Sequence, residues 1–116
     1  MSFENYIVDE GSFIKGYKNG LWKTTYKNKL VKTENWRKGL AIGRYRVFDT
    51  KGKLLYKTSF GNYGHGKYKD YYYNTGQLKQ EGAYENGKKQ GEWCDYDKEG
   101  NLIKTTYYDQ GVPKTE

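Results

Sequence analysis

The chain has 116 residues and a formal net charge of +7 at pH 7, which is the length of a single domain. Leu, Ile, Val and Phe supply only 19 of the 116 residues, about 16%, and so low a share in a highly charged chain is typical of disorder. Aromatic residues nevertheless make up 18% of the chain, with 14 Tyr and 3 Trp, and each buried ring removes about 150 to 250 Å² from water. We therefore expect a folded domain with an aromatic core.

Few residues are available for chemistry. One His, one Cys and one Pro are too few for a disulfide, a Cys/His nucleophile pair or a common metal site. We expect no enzymatic activity, no cofactor and no metal. The N-terminal segment lacks the basic and apolar regions of a secretory signal, and no apolar run approaches the 18 or so residues of a membrane helix. With a lone Cys94, these features predict a cytoplasmic protein that does not bind membranes.

The most informative pattern is an internal repeat of 24 residues. Leucines recur at this interval, three of them closing a Gly-x-Leu triplet: Leu30, Leu54, Leu78 and Leu102. A ring occurs six residues after each Leu: Trp36, Phe60, Tyr84 and Tyr108. The repeat divides one domain, 1–116, into units of roughly 1–27, 28–51, 52–75, 76–99 and 100–116.

Each unit predicts two strands and two turns, because short runs of Tyr, Thr, Val and Trp alternate with Gly or Asn. In the clearest hairpin, 43–48 and 53–60 flank a four-residue turn, 49–52. Pairing Val47 with Leu54 places both on the packed face, and the alternation places Arg44 and Arg46 on the other face.

The rings are expected to form a continuous core along the repeat. Opposed rings across the second turn of each unit should pair, at about 0.2 to 1 kcal/mol each beyond burial: Phe13 with Trp22, Trp36 with Tyr45, Phe60 with Tyr68, and Tyr84 with Trp93. The four periodic leucines are expected to join this core. The glycines after the rings are expected to be turn residues with positive φ.

The unit Gly-x-Leu-x-x-x-x-x-Tyr-x-x-Gly-x-x-x-Gly-x-Trp-x-x-Tyr is seen most clearly over 76–96. It resembles the MORN-like repeats of bacterial proteins, especially the YwqK-type antitoxin-like group. The resemblance covers nearly the whole chain and is weakest over 1–12. It implies an all-β fold, an elongated antiparallel meander of successive hairpins. It also implies a binding scaffold without catalytic residues, some members of which neutralise a partner by binding it.

Charge is distributed unevenly along the chain. Residues 15–69 hold 12 Lys and 3 Arg against two acids, or +13, whereas 1–14 and 70–116 each carry −3. A sheet with one basic half favours a polyanion or an acidic protein surface. A solvated face that protects sheet edges is the plain alternative.

The candidate partner-binding residues lie in this basic block. All three arginines fall within ten residues, and Arg suits bidentate contacts with carboxylates and phosphates. Tyrosines outside the repeat positions are expected to be exposed beside the cations. The predicted site comprises Arg37, Lys38, Arg44, Arg46, Lys53, Lys57, Tyr17, Tyr26 and Tyr63.

Rings beside cations suit protein hot spots and base stacking equally. The sequence therefore predicts a non-catalytic protein-binding module, most concretely a small inhibitor or antitoxin-like factor that covers a functional surface of a toxin or nuclease. Direct RNA or DNA binding through the basic half is the alternative. Open sheet edges at 1–10 and 101–109 leave two oligomeric states, a monomer or an edge-paired homodimer.

Overall fold

The computed structural model describes residues 6–114, and this part of the chain is all-β and antiparallel, as predicted. Its ten strands are β1 (Ile7–Ile14), β2 (Tyr17–Tyr26), β3 (Lys29–Arg37), β4 (Leu40–Phe48), β5 (Leu54–Ser59), β6 (Gly66–Tyr71), β7 (Leu78–Glu85), β8 (Lys88–Tyr96), β9 (Leu102–Asp109) and β10 (Val112–Lys114). Sheet A has the order β1-β2-β3-β4-β5, and sheet B has the order β10-β9-β8-β7-β6. Successive strands are neighbours within each sheet, which is the arrangement of a hairpin meander.

Five strand connections are two-residue turns in which both residues have positive φ: 15–16, 27–28, 38–39, 86–87 and 110–111. Type I′ turns require this geometry at both positions, and their twist matches that of the flanking strands. Gly39 has a φ of 86°, and Asn28, which stands where another unit would have Gly, has a φ of 68°. The predicted turn role of the repeat glycines is confirmed here.

The predicted elongated shape is wrong. Ten strands in one flat meander would measure about 45 Å across, whereas the molecule measures 34 × 33 × 25 Å. The sheet is interrupted at 60–65, where the repeat is one residue short and both Gly61 and Gly64 have positive φ. Sheet B therefore folds back over sheet A, and the core lies between them.

The core is aromatic, as predicted, but its ring contacts differ in part. The contacts Phe13–Trp22 and Tyr84–Trp93 are present at 5.0 and 5.4 Å between ring centroids. Trp36, in contrast, lies opposite Ala41 in the sheet, and its ring contacts Tyr84 of sheet B. The ring of Phe60 also meets other partners, namely Tyr45 and Tyr84. Rings meet across the two sheets because the meander is folded over.

A β-bulge recurs just after each periodic Leu, at Val31, Leu55, Lys79 and Ile103. A bulge inserts one residue and reverses the facing of the residues after it. Val31 is consequently fully buried, whereas Leu30 and Leu54 are 43% and 42% exposed. The prediction that the periodic leucines form the core is therefore wrong. For the same reason Val47 lies opposite Tyr56 and not Leu54.

Polar contacts join the sheets as well. The Lys32 ammonium lies 3.3 Å from the Asp70 carboxylate, both largely buried. Burial alone would lower the pKa of Lys32, but the facing oxygen atoms of Tyr68 and Asp70 raise it well above its ordinary value. The Ala41 N–H donates to the Gly87 carbonyl at 3.0 Å. These contacts fix the position of sheet B on the inner face of sheet A and leave the other face of sheet A open.

Candidate protein-binding surface

Three of the predicted cations share the outer face of sheet A, which is the face turned away from sheet B. Arg46 lies directly opposite Lys57, and Arg44 lies opposite Ser59. Strand alternation turns these side chains outward because Tyr45 and Val47 between them are buried. All three cations are exposed. Their backbones are held by the central strand β4 and its neighbour, so the charges have a fixed spacing.

The two acidic residues of the basic block, 15–69, lie away from the outer face of sheet A. Glu34 pairs with the buried Trp22 and so lies on the inner side. Asp49 lies in the β4–β5 turn, where its Oδ1 accepts the backbone N–H groups of Lys51 and Lys53 at 2.9 Å. Both acids of 15–69 are therefore kept from the outer face, a separation that the sequence count alone did not show.

Little neutralises the cations of this face. The ion pairs Lys32–Asp70 and Lys114–Asp109 both lie away from the outer face of sheet A. Glu10, opposite Lys23 at the β1 edge, is the acid that does lie there. The outer face consequently carries a positive field over β2 to β5.

Aliphatic side chains lie among the cations. Val8 and Leu30 are 46% and 43% exposed and flank Thr25 in one cross-strand row. Leu21 is 51% exposed opposite Asn35, and Leu54 lies opposite Phe48. The bulges create this feature, because they turn the periodic leucines outward. Exposed apolar groups with a polar surround are typical of protein interaction surfaces.

Four other predicted site residues lie at the turn end of the sheets. The Arg37 guanidinium donates to the Asn62 carbonyl at 3.4 Å, and a depression of about 210 Å³ is lined by Arg37, Tyr63 and five further residues. Tyr17 and Lys38 line a separate depression of about 240 Å³. Tyr17 and Tyr63 are exposed, as expected. The structure therefore places these four residues in two small groups beside the outer face rather than within it.

The remaining two residues of the predicted site, Lys53 and Tyr26, do not lie with the cations on the outer face. Lys53 is exposed, but it lies in the β4–β5 turn at the far end from Arg37. Tyr26 is only 6% exposed and packs near Tyr73 in the core, so the prediction that its ring is available to a partner is wrong. Alternation from the buried Trp22 through Thr24 gives Tyr26 the same inward facing, and this was the signal in the sequence. The same alternation places Lys23 on the outer face, a residue that sequence reasoning missed.

An open depression of about 370 Å³ on sheet B is lined by one thiol, two carboxylates, two lysines and a tyrosine: Cys94, Glu81, Glu92, Lys67, Lys69 and Tyr96. Cys94 lies on the outer face of sheet B and donates to Glu92 at 3.4 Å. Burial and this hydrogen bond raise the pKa of the Cys94 thiol, so the thiol is protonated at neutral pH. Over residues 6–114 no three His, Cys, Asp or Glu side chains form a group that could hold a metal ion.

Comparison with family models, with curated proteins and with solved structures finds no match to this chain. Over the part of the chain that the structure describes, no helix has the length and apolarity needed to cross a bilayer. The candidate function therefore rests on the exposed surfaces of the molecule. The outer face of sheet A is the strongest candidate because it combines fixed cations with exposed aliphatic side chains.

Proposed function

We propose that the chain is a non-catalytic protein-binding module, acting in the cytoplasm, whose partner presents an acidic surface to the outer face of sheet A. Its most concrete form is a small inhibitor or antitoxin-like factor that covers a functional surface of a toxin or nuclease. The observation that carries the proposal is the sorting of charge: Arg44, Arg46 and Lys57 face outward, while Glu34 faces the core. Such a face steers and orients an acidic partner.

Equivalent contacts in the two sheets support the proposal that the scaffold is made of MORN-like units. The Trp22 indole N–H donates to the Ser12 carbonyl at 3.1 Å, and the Trp93 indole N–H donates to the Ala83 carbonyl at 3.1 Å. A lysine ammonium lies 4.7 Å from each indole centroid, Lys18 in sheet A and Lys89 in sheet B. A repeated scaffold can keep its core while its outer faces differ.

The neighbours of the cations favour a protein over a nucleic acid. Single-stranded nucleic acids are bound by stacking bases on exposed rings beside basic residues. The exposed apolar groups of the outer face are Val8, Leu21, Leu30 and Leu54, which are aliphatic, and Tyr26 is not available. Direct RNA or DNA binding remains the alternative, carried by the same cations together with Tyr17 and Tyr63 at the turn end.

A paired charge reversal tests the proposed surface. We expect R44E/R46E to change stability by no more than about 0.5 kcal/mol, because both side chains are exposed, and to weaken partner binding about tenfold or more. The matched control K88E/K104E changes the net charge equally at exposed positions of sheet B and should retain the partner. The measurement compares the proteins retained by each immobilised variant from a nuclease-treated lysate, followed by affinity measurement with the purified partner. Equal retention by the parent and R44E/R46E would contradict the proposal.

Salt separates the two candidate functions. A chain that neutralises six to ten phosphates loses about a thousandfold or more in affinity between 50 and 200 mM salt. A protein complex with aliphatic contacts at its centre should lose far less. Retention of partners from an untreated lysate but not from the nuclease-treated one, together with the steep salt dependence, would favour nucleic-acid binding.

A further inference from the structure

The edge strand β1 has an internal counterpart in sheet B, the strand β7. Gly11 of β1 lies beneath the ring of Trp22, and Gly82 of β7 lies beneath the ring of Trp93. The strand pairing shifts register at both glycines, and Glu10 precedes one as Glu81 precedes the other. The two strands therefore share the same local structure and the same contacts with the next strand in the chain.

Strands β1 and β7 differ in what lies along their other edge, the edge that does not pair with the next strand in the chain. Strand β7 has the neighbour β6, whereas within residues 6–114 β1 pairs only with β2. Tyr84 of β7 is 8% exposed, but Phe13 at the same position of β1 is 64% exposed. In sheet B, the ring of Tyr68 in β6 covers part of Tyr84, with 5.6 Å between the two ring centroids. The exposed Phe13 thus marks the position that a β6-like strand would cover.

We propose that the β1 edge binds an extended segment of a partner protein, in which an aromatic residue flanked by Lys or Arg lies opposite Gly11. Strand β6 shows this pattern on β7: Tyr68 lies opposite Gly82, and Lys69 lies opposite Glu81. The ring of Tyr68 also packs on Trp93 at 5.1 Å. A segment bound in the same way would place its ring beside Trp22 and its cation beside Glu10, while its backbone pairs with β1.

The charge and length of the sheet edges disfavour a second copy as the occupant. Strand β1 carries Asp9 and Glu10 and no cation, so two β1 edges would place like charges side by side. In sheet B, the edge strand β10 is three residues long and contains Pro113, which lacks the N–H needed for pairing. At the other edge of sheet B, backbone carbonyls of β6 already accept hydrogen bonds from the hydroxyl groups of Tyr45 and Tyr56. Strand β1 has eight residues and no Pro, so its free edge is long enough to pair with a bound strand. Its complement is therefore a basic and aromatic strand from another protein.

The probe for this surface is a peptide with the β6 sequence Gly66–Tyr71 that carries Asp70→Asn, because Asp70, which lies opposite Gln80 in sheet B, would lie opposite Asp9 of β1. Its affinity for the full chain is measured by fluorescence anisotropy, and the backbone amides that it protects are located by hydrogen exchange. We expect protection in β1. We also expect about a tenfold loss of affinity when the peptide carries Tyr68→Ser or when the protein carries Phe13→Ser. The matched control Val112→Ser, at another 64% exposed residue of an edge strand, should bind as the parent does.

Charge exchange provides an independent check of the register. Glu10→Lys should weaken the peptide up to about fivefold, and a peptide carrying Lys69→Glu should recover that loss. Three outcomes would overturn the proposal: no binding of the peptide, equal binding by Phe13→Ser and the parent, or protection that appears in β7 instead of β1. A dimer of the chain itself that is abolished by Phe13→Ser would also overturn it, because the edge would then be occupied by a second copy.

Discussion

At the scale of single residues, two glycines without positive φ have a steric role. Gly11 and Gly82 lie directly beneath tryptophan rings, and a Cβ at either position would overlap the ring. At the turn glycines a positive φ sets the requirement, and at Gly87 a Cβ would in addition overlap Leu40. The sequence shows both kinds of glycine as equal members of the repeat. Only the packing separates the conformational role from the steric one.

We expect Gly82→Ala to lower the free energy of unfolding by about 1 to 3 kcal/mol, because the added methyl group must displace a ring that is 2% exposed. Urea unfolding measures this loss. In a Trp93→Leu background, where the ring is absent, the same substitution should cost clearly less. Equal costs in the two backgrounds would show that the ring is not the reason for the glycine.

Asp97 stabilises the β8–β9 turn through its carboxylate. Its Oδ1 accepts the backbone N–H groups of Asn101 and Glu99 at 2.9 Å, and the bonds with Asn101 foremost lower the pKa of Asp97 below its ordinary value. A lowered pKa adds stability above the unfolded pKa of about 3.9, and this is lost as pH falls through the folded pKa. Asp97→Asn should therefore be less stable than the parent at pH 6, and the two should converge toward pH 2. A difference that stays constant over this range would contradict the assignment.

At the scale of the strands, the bulges decide which side chains reach the core. Composition and spacing were sufficient to predict the strands, the positive φ of the glycines in the turns and the basic face around Arg44 and Arg46. They did not place Leu30, because a bulge adds one residue to only one strand of a pair and reverses the alternation after it. Leu30 is consequently a surface residue, and Val31 after it faces inward.

Neighbouring substitutions on β3 test this reversal. Val31→Ala should cost about 1 to 3 kcal/mol because Val31 is fully buried, whereas Leu30→Ala should cost about 0.5 kcal/mol or less because Leu30 is 43% exposed. The ratio of the two losses in chemical unfolding is the diagnostic quantity. A larger loss for Leu30→Ala would restore the simple alternation and remove the bulge at this position.

At the scale of the whole molecule, the meander folds into two facing sheets. The shortened segment 60–65 was the sequence signal for an irregularity, but the contacts that result from it join residues far apart in the chain. Lys32 and Asp70 are an example, since nothing in their spacing indicates that they pair across the core. The same folding determines which face of sheet A is exposed, because sheet B covers one face and leaves the other open to solvent.

The Lys32–Asp70 pair tests the facing of the sheets. Lys32→Met should cost about 3 to 5 kcal/mol, because it leaves the carboxylate of Asp70 buried without its cation. The double variant K32M/D70N should be more stable than K32M alone, since an amide can still accept the hydrogen bond from Tyr73. Because the pKa of Lys32 is raised, the contribution of the pair is complete at neutral pH and is lost only as pH rises above the ordinary lysine range. If the losses of Lys32→Met and Asp70→Asn measured separately add up to the loss of the double variant, the two residues do not interact.

Chemical modification in the presence and absence of the bound partner tests most directly whether the outer face of sheet A is the binding surface. An arginine-selective and a lysine-selective reagent, with the modified residues quantified by mass spectrometry, report on individual exposed side chains. We predict that the partner protects Arg44, Arg46 and Lys57, and that Lys88 and Lys104 of sheet B keep their reactivity. Full reactivity of Arg44 and Arg46 in the complex, with protection at Lys88 or Lys104, would contradict this assignment.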